Sequence, residues 1–482
     1  MLDKLLQGVE VRSLVGDGTV AVGRLEFDSR KVVPDTLFFA TRGTQADGHA
    51  YIPAAVAAGA AAVVCEELPA ERPVGVTFVQ VPDSTVALGQ VASAFYGHPS
   101  RRLKLVGVTG TNGKTTTATL LYRMFRRLGY KAGLISTVVY CVDEREIPST
   151  HTTPDSIRLN GMMAEMVEAG CDYCFMEVSS HSLVQHRTAG LAFVGGIFSN
   201  ITHDHLDYHK TFAEYIRAKK LFFDGLPAGA FALTNADDRN GMVMVQNTKA
   251  TVKTYALQSF ADFRCRIVVT LLDGMLLNLD GSEVWVKFLG RFNAYNLTSV
   301  YATALLLDAR RDEVLRILSD LTSVDGRFEP IHSKEGVTAI VDYAHTPDAL
   351  QNVIGTINEI RKKDQRLYVV VGCGGNRDAT KRPEMAKIAV DGSDMAVLTS
   401  DNPRLEEPGA IIEQMKSGLE PGARYLAIMD RREAIKAAVA LARPGDIILV
   451  AGKGHETYQD VGGVKHHFDD REEVRAAFGT VL

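Results

Sequence analysis

One segment constrains the fold more than any other, because it reads as a strand, a glycine turn and a helix in immediate succession. Residues 103–109 are a short apolar run that predicts a strand, and residues 115–127 predict a helix that Gly129 closes. Backbone N–H groups at the start of such a helix can bind phosphate oxygens, the Lys114 ammonium can add positive charge, and the Thr115 hydroxyl can bind Mg²⁺. The segment therefore predicts a nucleotide-binding loop inside an α/β fold.

The glycine spacing of this loop is shorter than the most common one. A G-x-x-x-x-G-K-T pattern needs glycine at position 108, which is Val108, so the loop matches G-x-x-G-K-T instead. The alternative is a glycine turn that only caps a helix, and the strand, the glycines, the lysine and the threonine together disfavour it. The expected ATP-binding residues here are Gly110, Thr111, Asn112, Gly113, Lys114, Thr115 and Thr116.

Similar apolar runs alternate with helical patterns along the whole chain. The strand-like runs include AGLIST, DYCFMEVSS, GGIFSN, LYVVVG, MAVLTS and DIILVAG. This alternation indicates an α/β class with mostly parallel sheets. A chain of 482 residues is too long for one core, and at roughly 150 residues per domain we expect about three domains. We place them at residues 1–99, 100–327 and 328–482.

Charge and composition exclude several classes of partner. Lys and Arg total 53 against 58 for Asp and Glu, a net charge of −5, which gives no general attraction for nucleic acid or anionic lipid. The longest apolar stretch, 54–65, is better read as a buried helix running into a strand, because it has about half of the roughly 20 residues that cross a bilayer. The first residues do not resemble a secretory signal, and the scattered cysteines suit a reducing compartment. We therefore expect a cytoplasmic protein that is not embedded in a membrane.

Carboxylate and histidine residues follow two other predicted strands. Glu177 ends the apolar run 172–177, and the segment NITHDHLDYH comes directly after GGIFSN. Because open α/β sheets bind ligands at the carboxyl ends of their strands, Glu177 and Thr115 are the expected ligands of Mg²⁺, with His205 a less usual one. A zinc site is the rival interpretation, since His205 and His209 have H-x-x-x-H spacing. The missing Glu of H-E-x-x-H and the lack of a thiolate cluster in the sequence disfavour it.

Many short motifs occur in one order along the chain. They are DSRKV, GTQADGHAYIP, GTNGKTT, HTTPDS, MEVSSHSLVQHR, SNITHDHLDYH, RAKKLFF, LGRFNAYN, GRFE, DYAHTPDAL, GCGGNRD, DNPR and GKGHE. In this combination the chain resembles the Mur ligase family, the cytoplasmic enzymes that extend the peptide of the peptidoglycan precursor. The resemblance covers nearly the whole chain. It implies an amino-terminal domain for the UDP part of the substrate, a central P-loop-type ATPase domain, and a Rossmann-like carboxyl-terminal domain for the incoming amino acid.

The resemblance also implies roles for individual residues. Those that would bind the UDP-muramoyl peptide form two groups. The uridine diphosphate would contact Phe27, Ser29, Thr44, Gln45 and Ala46, and the muramoyl-peptide portion would contact Thr152, Thr153, Ser179, Gln185 and Arg187. Those that would bind the nucleoside and the γ-phosphate are Asn293, Asn296, Arg327 and Asp342, followed by His345. The catalytic group would comprise Lys114, Glu177, His205 and Lys219. Without the resemblance, Ser29 and Gln45 could equally be turn residues.

A carbamate on Lys219, formed with CO₂, is a further implication of the resemblance. A carbamate turns a cation into an oxygen ligand, which would help Glu177 and His205 to hold a second Mg²⁺ beside the phosphates. From the residues alone, the adjacent lysines at 219 and 220 would read as a solvated pair on an amphipathic helix.

The implied reaction forms an amide bond. A carboxylate does not react with an amine at neutral pH, so ATP would first convert it to an acyl phosphate, with the loop, Mg²⁺ and Lys114 stabilising the transferring phosphoryl group. The resemblance implies that the carboxylate is the D-glutamyl γ-carboxylate of UDP-N-acetylmuramoyl-L-alanyl-D-glutamate. We expect small-molecule substrates, no nucleic-acid partner and a monomeric enzyme.

The incoming amine is assigned from the motif DNPR. The Arg404 guanidinium can bind a carboxylate bidentately, which suits meso-diaminopimelate and not L-lysine, since lysine lacks the second carboxylate. The resemblance implies a pocket of Arg377, Asp401, Asn402, Pro403, Arg404, Gly452 and Glu456. The alternatives are a solvated Arg404, the same ligation with L-lysine, a folylpolyglutamate-synthase-like ligase, and a P-loop ATPase that acts as a switch.

Overall fold

The computed structural model describes residues 1–43, 46–202, 204, 206–271 and 273–479, without the side chains of residues 206 and 207. Within them the chain forms an amino-terminal, a central and a carboxyl-terminal unit, each built on its own mostly parallel sheet with helices packed alongside. This confirms the predicted α/β class, while the boundaries after residues 99 and 327 stay predictions. None of the described helices is both long and apolar enough to cross a membrane.

The amino-terminal unit has short strands and short helices. Its strands are β1 (Ser13–Val15), β2 (Arg24–Glu26), β3 (Thr36–Phe39), β4 (Ala62–Cys65) and β5 (Thr77–Gln80). Its helices are α1 (Leu2–Leu5), α2 (Ile52–Ala57) and α3 (Ser84–Phe95), with 3₁₀ turns at Ser29–Lys31, Gly48–Tyr51 and Pro99–Arg101. The strands lie in the order β1-β5-β4-β3-β2, with β1 antiparallel to β5 and the other pairs parallel. The run 54–65 covers the end of α2 and all of β4, so the predicted helix and strand are both present. The strand is buried as expected, whereas α2 buries only Ile52 and Ala55.

The central unit carries the longest sheet. Its strands are β6 (Lys104–Thr109), β7 (Ala132–Ile135), β8 (Val139–Val142), β9 (Arg145–Pro148), β10 (Tyr173–Glu177), β11 (Gly195–Phe198), β12 (Phe231–Asn235), β13 (Thr251–Ala256), β14 (Phe263–Leu271), β15 (Gly274–Leu279) and β16 (Ser282–Val286). Its helices are α4 (Lys114–Arg127), α5 (Ser156–Glu168), α6 (Ser180–Val184), α7 (Leu206–His209), α8 (Phe212–Asp224), α9 (Gly241–Met244), α10 (Arg291–Leu306) and α11 (Arg311–Asp320). The order across the sheet is β16-β15-β14-β13-β12-β11-β6-β10-β7-β8-β9.

The middle of this sheet determines where the loops meet. Strand β6 lies between β10 and β11, is parallel to both, and is buried on both faces from residue 105 onward. Because parallel strands end at a common edge, the ends of these strands at Thr109, Glu177 and Phe198 lie side by side. The phosphate loop, Glu177 and the segment after Phe198 therefore share one edge, as the sequence predicted for Glu177.

The carboxyl-terminal unit is built on a third, mostly parallel sheet that is flanked by helices. Its strands are β17 (Glu329–His332), β18 (Thr338–Asp342), β19 (Leu367–Cys373), β20 (Met395–Ser400), β21 (Tyr425–Ala427), β22 (Ile447–Ala451), β23 (Tyr458–Val461) and β24 (Val464–His467). Its helices are α12 (Pro347–Ile360), α13 (Lys381–Asp391), α14 (Pro408–Lys416), α15 (Arg431–Leu441) and α16 (Asp470–Ala477). The order is β17-β18-β22-β19-β20-β21, with β17 antiparallel to β18 and the others parallel, beside a separate β23–β24 hairpin. The motifs DYAHTPDAL, GCGGNRD, DNPR and GKGHE follow the carboxyl ends of β18, β19, β20 and β22, which lie at one edge.

A buried ion pair ties the last helix to this sheet. The Arg431 and Asp470 side chains are fully buried and meet at 2.7 Å. Arg431 Nη2 also donates to the Ala451 carbonyl oxygen at 2.9 Å, at the end of β22. The guanidinium thus satisfies backbone and carboxylate acceptors at once, which a buried charge requires.

Removing this carboxylate provides a stability test. We expect Asp470→Ala to lower the unfolding free energy of the carboxyl-terminal unit by about 3–5 kcal/mol, because Arg431 stays buried without its counter-charge. Glu473→Ala is the matched control, since it breaks an Arg432–Glu473 pair at 2.8 Å in which Arg432 is largely exposed, and it should cost less than about 1 kcal/mol. Urea denaturation of both variants measures the contrast. Equal losses would contradict the assignment.

Candidate active site

The phosphate loop is shaped by two glycines with left-handed backbone conformations. Gly110 has φ of 150° and Gly113 has φ of 88°, which L side chains rarely adopt. A Cβ on Gly110 would run into the Ser199 hydroxyl, and one on Gly113 would run into the side-chain oxygen of Asn296. The loop therefore lies closer to its neighbours than any side chain would permit.

Asn200, just after β11, holds the loop from the neighbouring strand end. Its carbonyl oxygen accepts a hydrogen bond from the Thr111 N–H at 2.8 Å, and its side-chain oxygen accepts one from the Asn112 N–H at 2.9 Å. The Ser199 hydroxyl and the Asn200 amide donate to the Asn112 carbonyl at 2.6 and 3.0 Å. The conformation of the loop thus depends on a strand about 90 residues further along the chain.

Two lysine side chains meet on one carbonyl oxygen of this loop. Lys114 Nζ donates to the Gly110 oxygen at 2.9 Å and Lys219 Nζ donates to it at 2.7 Å. Lys219 is 1% exposed and lies 4.6 Å from the centroid of the Tyr215 ring, so the alternative of a solvated surface lysine is wrong. Burial lowers the pKa of both amines, and for Lys219 the nearby Lys114 charge lowers the pKa further, to well below its usual value.

Glu177 ends β10 with a buried carboxylate beside the loop. Its Oε1 accepts a hydrogen bond from the Thr137 N–H at 2.7 Å, while its Oε2 is buried and has no hydrogen-bond partner among the described residues. Its negative charge raises the pKa of Lys114, in opposition to burial. A buried carboxylate oxygen without a partner is costly unless a ligand completes it, and a hard oxygen donor is the type that Mg²⁺ prefers.

The structure brings together the residues expected to hold the muramoyl peptide. We call them the Arg187 cluster, and they are Thr152, Thr153, Ser179, Gln185 and Arg187. The Thr153 hydroxyl donates to the Glu177 carbonyl at 2.8 Å and accepts from the Ser179 N–H at 3.2 Å. Arg187 donates to the Thr153 carbonyl at 2.7 Å and to the Gln185 side-chain oxygen at 2.6 and 3.0 Å. The cluster is therefore one hydrogen-bonded group attached to the strand end that carries Glu177.

A cavity of about 300 Å³ opens beside the loop, between the central and carboxyl-terminal units. The residues on its walls include Asn112, Gly113, Thr116, Asn293, Asn296, Arg327, Asp342 and His345. Asn293 and Asn296 are buried in α10, and Asn296 Nδ2 donates to Asn293 Oδ1 at 3.3 Å, which confirms that they share a helical face. The cavity has the size expected for a small-molecule site.

Asp342 supports the turn that carries Arg327. Its two carboxylate oxygens accept hydrogen bonds from the N–H groups of Phe328 and Ala344, both at 2.7 Å, and burial raises its pKa. Phe328 has φ of 49°, a conformation that needs such external support. The expected contact of Asp342 with a nucleoside stays a prediction.

Arg327 reaches across the cavity from this turn. Its Nη2 donates to the Thr115 hydroxyl at 3.2 Å, at the start of α4, and its guanidinium carbon lies 4.4 Å from the centroid of the Tyr343 ring. Its Nε is buried and has no hydrogen-bond partner within the described part of the chain. The guanidinium is therefore beside the phosphate loop.

Asp348, at the start of α12, makes a second contact between these two units. Its Oδ2 accepts a hydrogen bond from the Asn112 amide at 2.8 Å and one from the Thr202 hydroxyl at 3.3 Å. Burial raises the pKa of Asp348. Sequence reasoning missed this residue, although it lies inside the motif DYAHTPDAL.

A group of side chains that we call the acidic pocket lies at the edge of the carboxyl-terminal sheet, and its two carboxylates, Asp401 and Glu456, are called the acidic pair. The Asn402 amide donates to Glu456 Oε2 at 2.7 Å, and the Lys453 ammonium lies 3.1 Å from Asn402 Oδ1 and 3.3 Å from Glu456 Oε2. A Cβ on Gly452 would lie 2.5 Å from Asp401 Oδ2, so glycine lets the strand end approach that carboxylate. Burial raises the pKa of Glu456, and the Asp401 charge adds to the effect.

Arg404 and Arg377 flank one glycine beside this pocket. Arg404, half-buried with φ of 53°, donates from Nη1 to the Gly375 carbonyl at 2.7 Å. A Cβ on Gly374 would lie 2.9 Å from Arg404 Nη1 and 3.8 Å from Arg377 Cγ. Arg404 and Arg377 therefore both approach Gly374, and Arg404 lies on the same loop as Asn402, whose amide binds Glu456.

Two buried cations in this region were not singled out from the sequence. Arg382 is 1% exposed, meets Glu406 at 2.8 and 2.9 Å, and donates to the Gly374 carbonyl at 3.0 Å, so it supports the glycine loop from behind. Lys453 is 0% exposed and lies in the motif GKGHE. That motif was the signal for Lys453, whereas Arg382 lies in a helix without a distinguishing pattern.

The residues expected to contact uridine diphosphate lie apart from the Arg187 cluster. Phe27 is exposed directly after β2, Ser29 begins a 3₁₀ turn, and Ala46 is exposed in the loop after β3. No hydrogen bond among the described residues joins them to the Arg187 cluster. Thr44, Gln45 and His205 lie outside the described residues, so their predicted roles stay predictions.

Three family profiles match successive parts of the chain. Residues 22–96 match "Mur ligase family, catalytic domain", residues 108–304 match "Mur ligase middle domain", and residues 326–454 match "Mur ligase, glutamate ligase domain". These matches cover most of the chain, with the loop, the cavity and nearly all of the acidic pocket inside them. The chain therefore belongs to the Mur ligase family and is a ligase of the ATP-dependent class.

Two full-length relatives from different organisms carry the same enzyme name. The chain is 56% identical to UDP-N-acetylmuramoyl-L-alanyl-D-glutamate--2,6-diaminopimelate ligase of Cytophaga hutchinsonii, over 99% of both chains. It is 53% identical to the protein of the same name from Bacteroides thetaiotaomicron, over 99% of this chain and 100% of that one. A solved structure of an enzyme with that name matches at a TM-score of 0.68 and 32% identity over 95% of each chain. MurF ligase from Thermotoga maritima in complex with ADP matches at 0.63 and 18% identity over 94% and 96% of the two chains, a likeness of fold alone.

A pair of glycine variants tests the phosphate loop. Gly113→Ala should weaken ATP binding at least about 10-fold, because the new Cβ collides with Asn296 and shifts the N–H groups of the loop. Gly129→Ala is the control, since Gly129 has a similar φ of 93° and nothing within 4 Å of the added Cβ. Calorimetric titration with ATP and Mg²⁺ compares the two variants. Equal weakening of ATP binding in both variants would mean that backbone strain at the substituted glycine, and not the collision with Asn296, causes the loss of affinity.

Proposed function

We propose that this chain joins meso-diaminopimelate to the D-glutamyl γ-carboxylate of UDP-N-acetylmuramoyl-L-alanyl-D-glutamate, with conversion of ATP to ADP and phosphate. The observation that carries the proposal is that Arg404 lies on the same loop as Asn402, whose amide binds Glu456, and approaches Gly374 together with Arg377. A diamino diacid carries both ammonium and carboxylate groups, so it complements guanidinium and carboxylate side chains together. Full-length relatives at 53–56% identity, named for this reaction, support it.

The reaction would begin with activation of the acceptor carboxylate. One oxygen of the γ-carboxylate attacks the γ-phosphorus of ATP, the bond from that phosphorus to the bridging oxygen breaks, and ADP leaves. Lys114 and Arg327 flank the loop, so their charges can stabilise the transferring phosphoryl group. The amine then attacks the acyl carbon, inorganic phosphate leaves, and the nitrogen loses a proton.

Mg²⁺ fits the oxygen atoms that the chain offers beside the loop. The buried Glu177 Oε2, which has no partner among the described residues, and the Thr115 hydroxyl would hold the ion. When bound, Mg²⁺ neutralises phosphate charge. The chain itself would position the nucleotide through the N–H groups at the start of α4, and the contacts of Arg327 and Asp348 across the cavity would help to shield it from water.

Choice of the amine would depend on Arg404. Meso-diaminopimelate offers the Arg404 guanidinium a second carboxylate to bind, and L-lysine cannot supply one. The carboxylates of Asp401 and Glu456 would hold an ammonium group of the substrate, since the Lys453 charge offsets only part of the negative charge of the two carboxylates. Small-molecule substrates would suffice for this reaction, and we extend the proposal to a monomeric enzyme in the cytoplasm.

Product analysis tests the proposed substrate. Purified protein with ATP, Mg²⁺ and the UDP-muramoyl dipeptide should add the mass of diaminopimelate and release ADP, and should add little or no lysine. Arg404→Ala should raise the diaminopimelate KM at least about 10-fold, because a bidentate contact is lost, while ATP affinity stays within about 2-fold. Efficient lysine addition without diaminopimelate addition would overturn the choice of amine, and ADP release without any amide product would overturn the ligase assignment.

We also propose that Lys219 reacts with CO₂ to form a carbamate. Only the uncharged amine can attack CO₂, and the burial that lowers the pKa of Lys219 increases the uncharged fraction at neutral pH. The nitrogen forms a bond to the carbon, one proton leaves, and the product is an anion. An anion beside Lys114 would replace the repulsion between two buried ammonium groups by attraction, and it would add oxygen ligands for Mg²⁺.

Carbon-13 NMR can test the carbamate without an activity assay. Protein incubated with ¹³C-bicarbonate should show a carbamate resonance that disappears in Lys219→Ala and weakens as the pH falls, since protonation removes the attacking amine. Lys220→Ala is the control, because Lys220 is the next residue and pairs with Asp224 at 2.5 Å. A resonance that persists in Lys219→Ala would assign the carbamate elsewhere.

A further inference from the structure

Tyr343 lies where the wall of the nucleotide cavity meets the acidic pocket. It directly follows β18, and its ring faces the Arg327 guanidinium, with 4.4 Å between the guanidinium carbon and the ring centroid. The ring also contacts two histidine rings, His345 at 4.6 Å and His455 at 5.0 Å between centroids. Tyr343 is therefore enclosed between side chains of both regions.

Close backbone packing holds the ring in this place. A Cβ on Gly454 would lie 2.7 Å from the Tyr343 Cβ, so the loop after β22 presses on the tyrosine. Gly326, in the turn that carries Arg327, packs on the same loop at Gly454 and His455. The turn, the loop and the ring form one packed layer.

The hydrogen bonds of Arg327 within the described residues do not by themselves fix the orientation of its guanidinium group. Nη2 makes a single hydrogen bond, at 3.2 Å to the Thr115 hydroxyl, and the buried Nε has no partner among the described residues. The face of the Tyr343 ring is negative and attracts a cation placed over it. The ring thus provides an attractive surface 4.4 Å from the guanidinium carbon.

Charged groups of the acidic pocket also act on the buried Tyr343 side chain. Burial raises the pKa of its hydroxyl, and the negative charge of Glu456 raises that pKa further. The Tyr343 side chain therefore packs on the Arg327 guanidinium and on Gly454 and His455, which directly precede the carboxylate proposed to hold the incoming amine.

From this geometry we propose that Tyr343 is a positioning residue for the ligation. The face of its ring holds the Arg327 guanidinium toward the γ-phosphate position, from a wall shared with the amino-acid pocket. The inference deepens the proposed function and rests on it. The ring acts through Arg327 and touches no reacting atom, so the aromatic face is required and the hydroxyl is not.

A binding measurement tests this without requiring turnover. The ratio of the ADP dissociation constant to that of the non-hydrolysable analogue AMP-PNP, both with Mg²⁺, reports contacts made only to the γ-phosphate. Tyr343→Leu should reduce this ratio about 5- to 30-fold, because the cation loses its aromatic partner. Tyr343→Phe should keep the ratio within about 2-fold of the unaltered protein, since it keeps the ring.

Two controls separate positioning from general damage. In an Arg327→Ala background, Tyr343→Leu should change the ratio no further, because a residue that acts through Arg327 has nothing left to position. Tyr368→Leu removes another tyrosine of the same unit, 4% exposed and hydrogen-bonded to the Leu441 carbonyl at 2.9 Å, and should lower stability without changing the ratio.

Several results would overturn the inference. They are an unchanged ratio in Tyr343→Leu, an equal loss in Tyr343→Phe, and an equal further loss in the Arg327→Ala background. Because the ratio needs only nucleotide binding, failure of the proposed ligation would appear separately, as the absence of an amide product from the unaltered protein.

Discussion

The carbonyl oxygen of Gly110 is the acceptor on which the site depends, because two lysine ammonium groups from different helices meet there. Lys114 begins α4 and Lys219 lies in α8, so their shared acceptor joins the phosphate loop to a helix about 100 residues further along the chain. Both amines are costly to bury as cations, and the negative charges of Glu177 and Asp204 at Lys114, and of Asp204 at Lys219, offset part of this cost. The site is therefore built for negative ligands before any substrate binds.

A second constraint is that the reaction needs parts from two units. The central unit supplies the phosphate loop, Arg327 and Asp348 reach the loop from the turn before β17 and from the start of α12, and Tyr343 contacts Arg327. These contacts bring the acidic pocket and the nucleotide cavity to either side of one wall. An acyl phosphate is readily hydrolysed, so a site that closes two units around it protects the intermediate from water.

Much of the fold and part of the site could be predicted from the sequence. The phosphate loop and the position of Glu177 could be predicted because their signals are local. A strand followed by a glycine loop and Lys-Thr is typical of phosphate binding, and a carboxylate at a strand end lies where α/β sheets bind ligands. Asp348 and Arg382 were missed because each works through a partner distant in sequence, Asn112 in one case and Glu406 in the other. The sequence alone also favoured a solvated Lys219. Only the structure shows that the side chain is buried.

The amino-acid sequence by itself determined the parallel α/β class, the nucleotide loop with its short glycine spacing, and the motifs that identify a Mur ligase. The fold class and the loop follow from the hydrophobic period and from glycine conformation, which act over a few residues. The family follows from the order of short motifs along the chain. Tertiary structure alone decided that Lys219 shares an acceptor with Lys114, that Arg327 lies over Tyr343, and that the loop of Arg404 is joined to Glu456 through Asn402. Burial and charge environment arise when distant segments pack together, and they set the pKa values and orientations on which the chemistry depends.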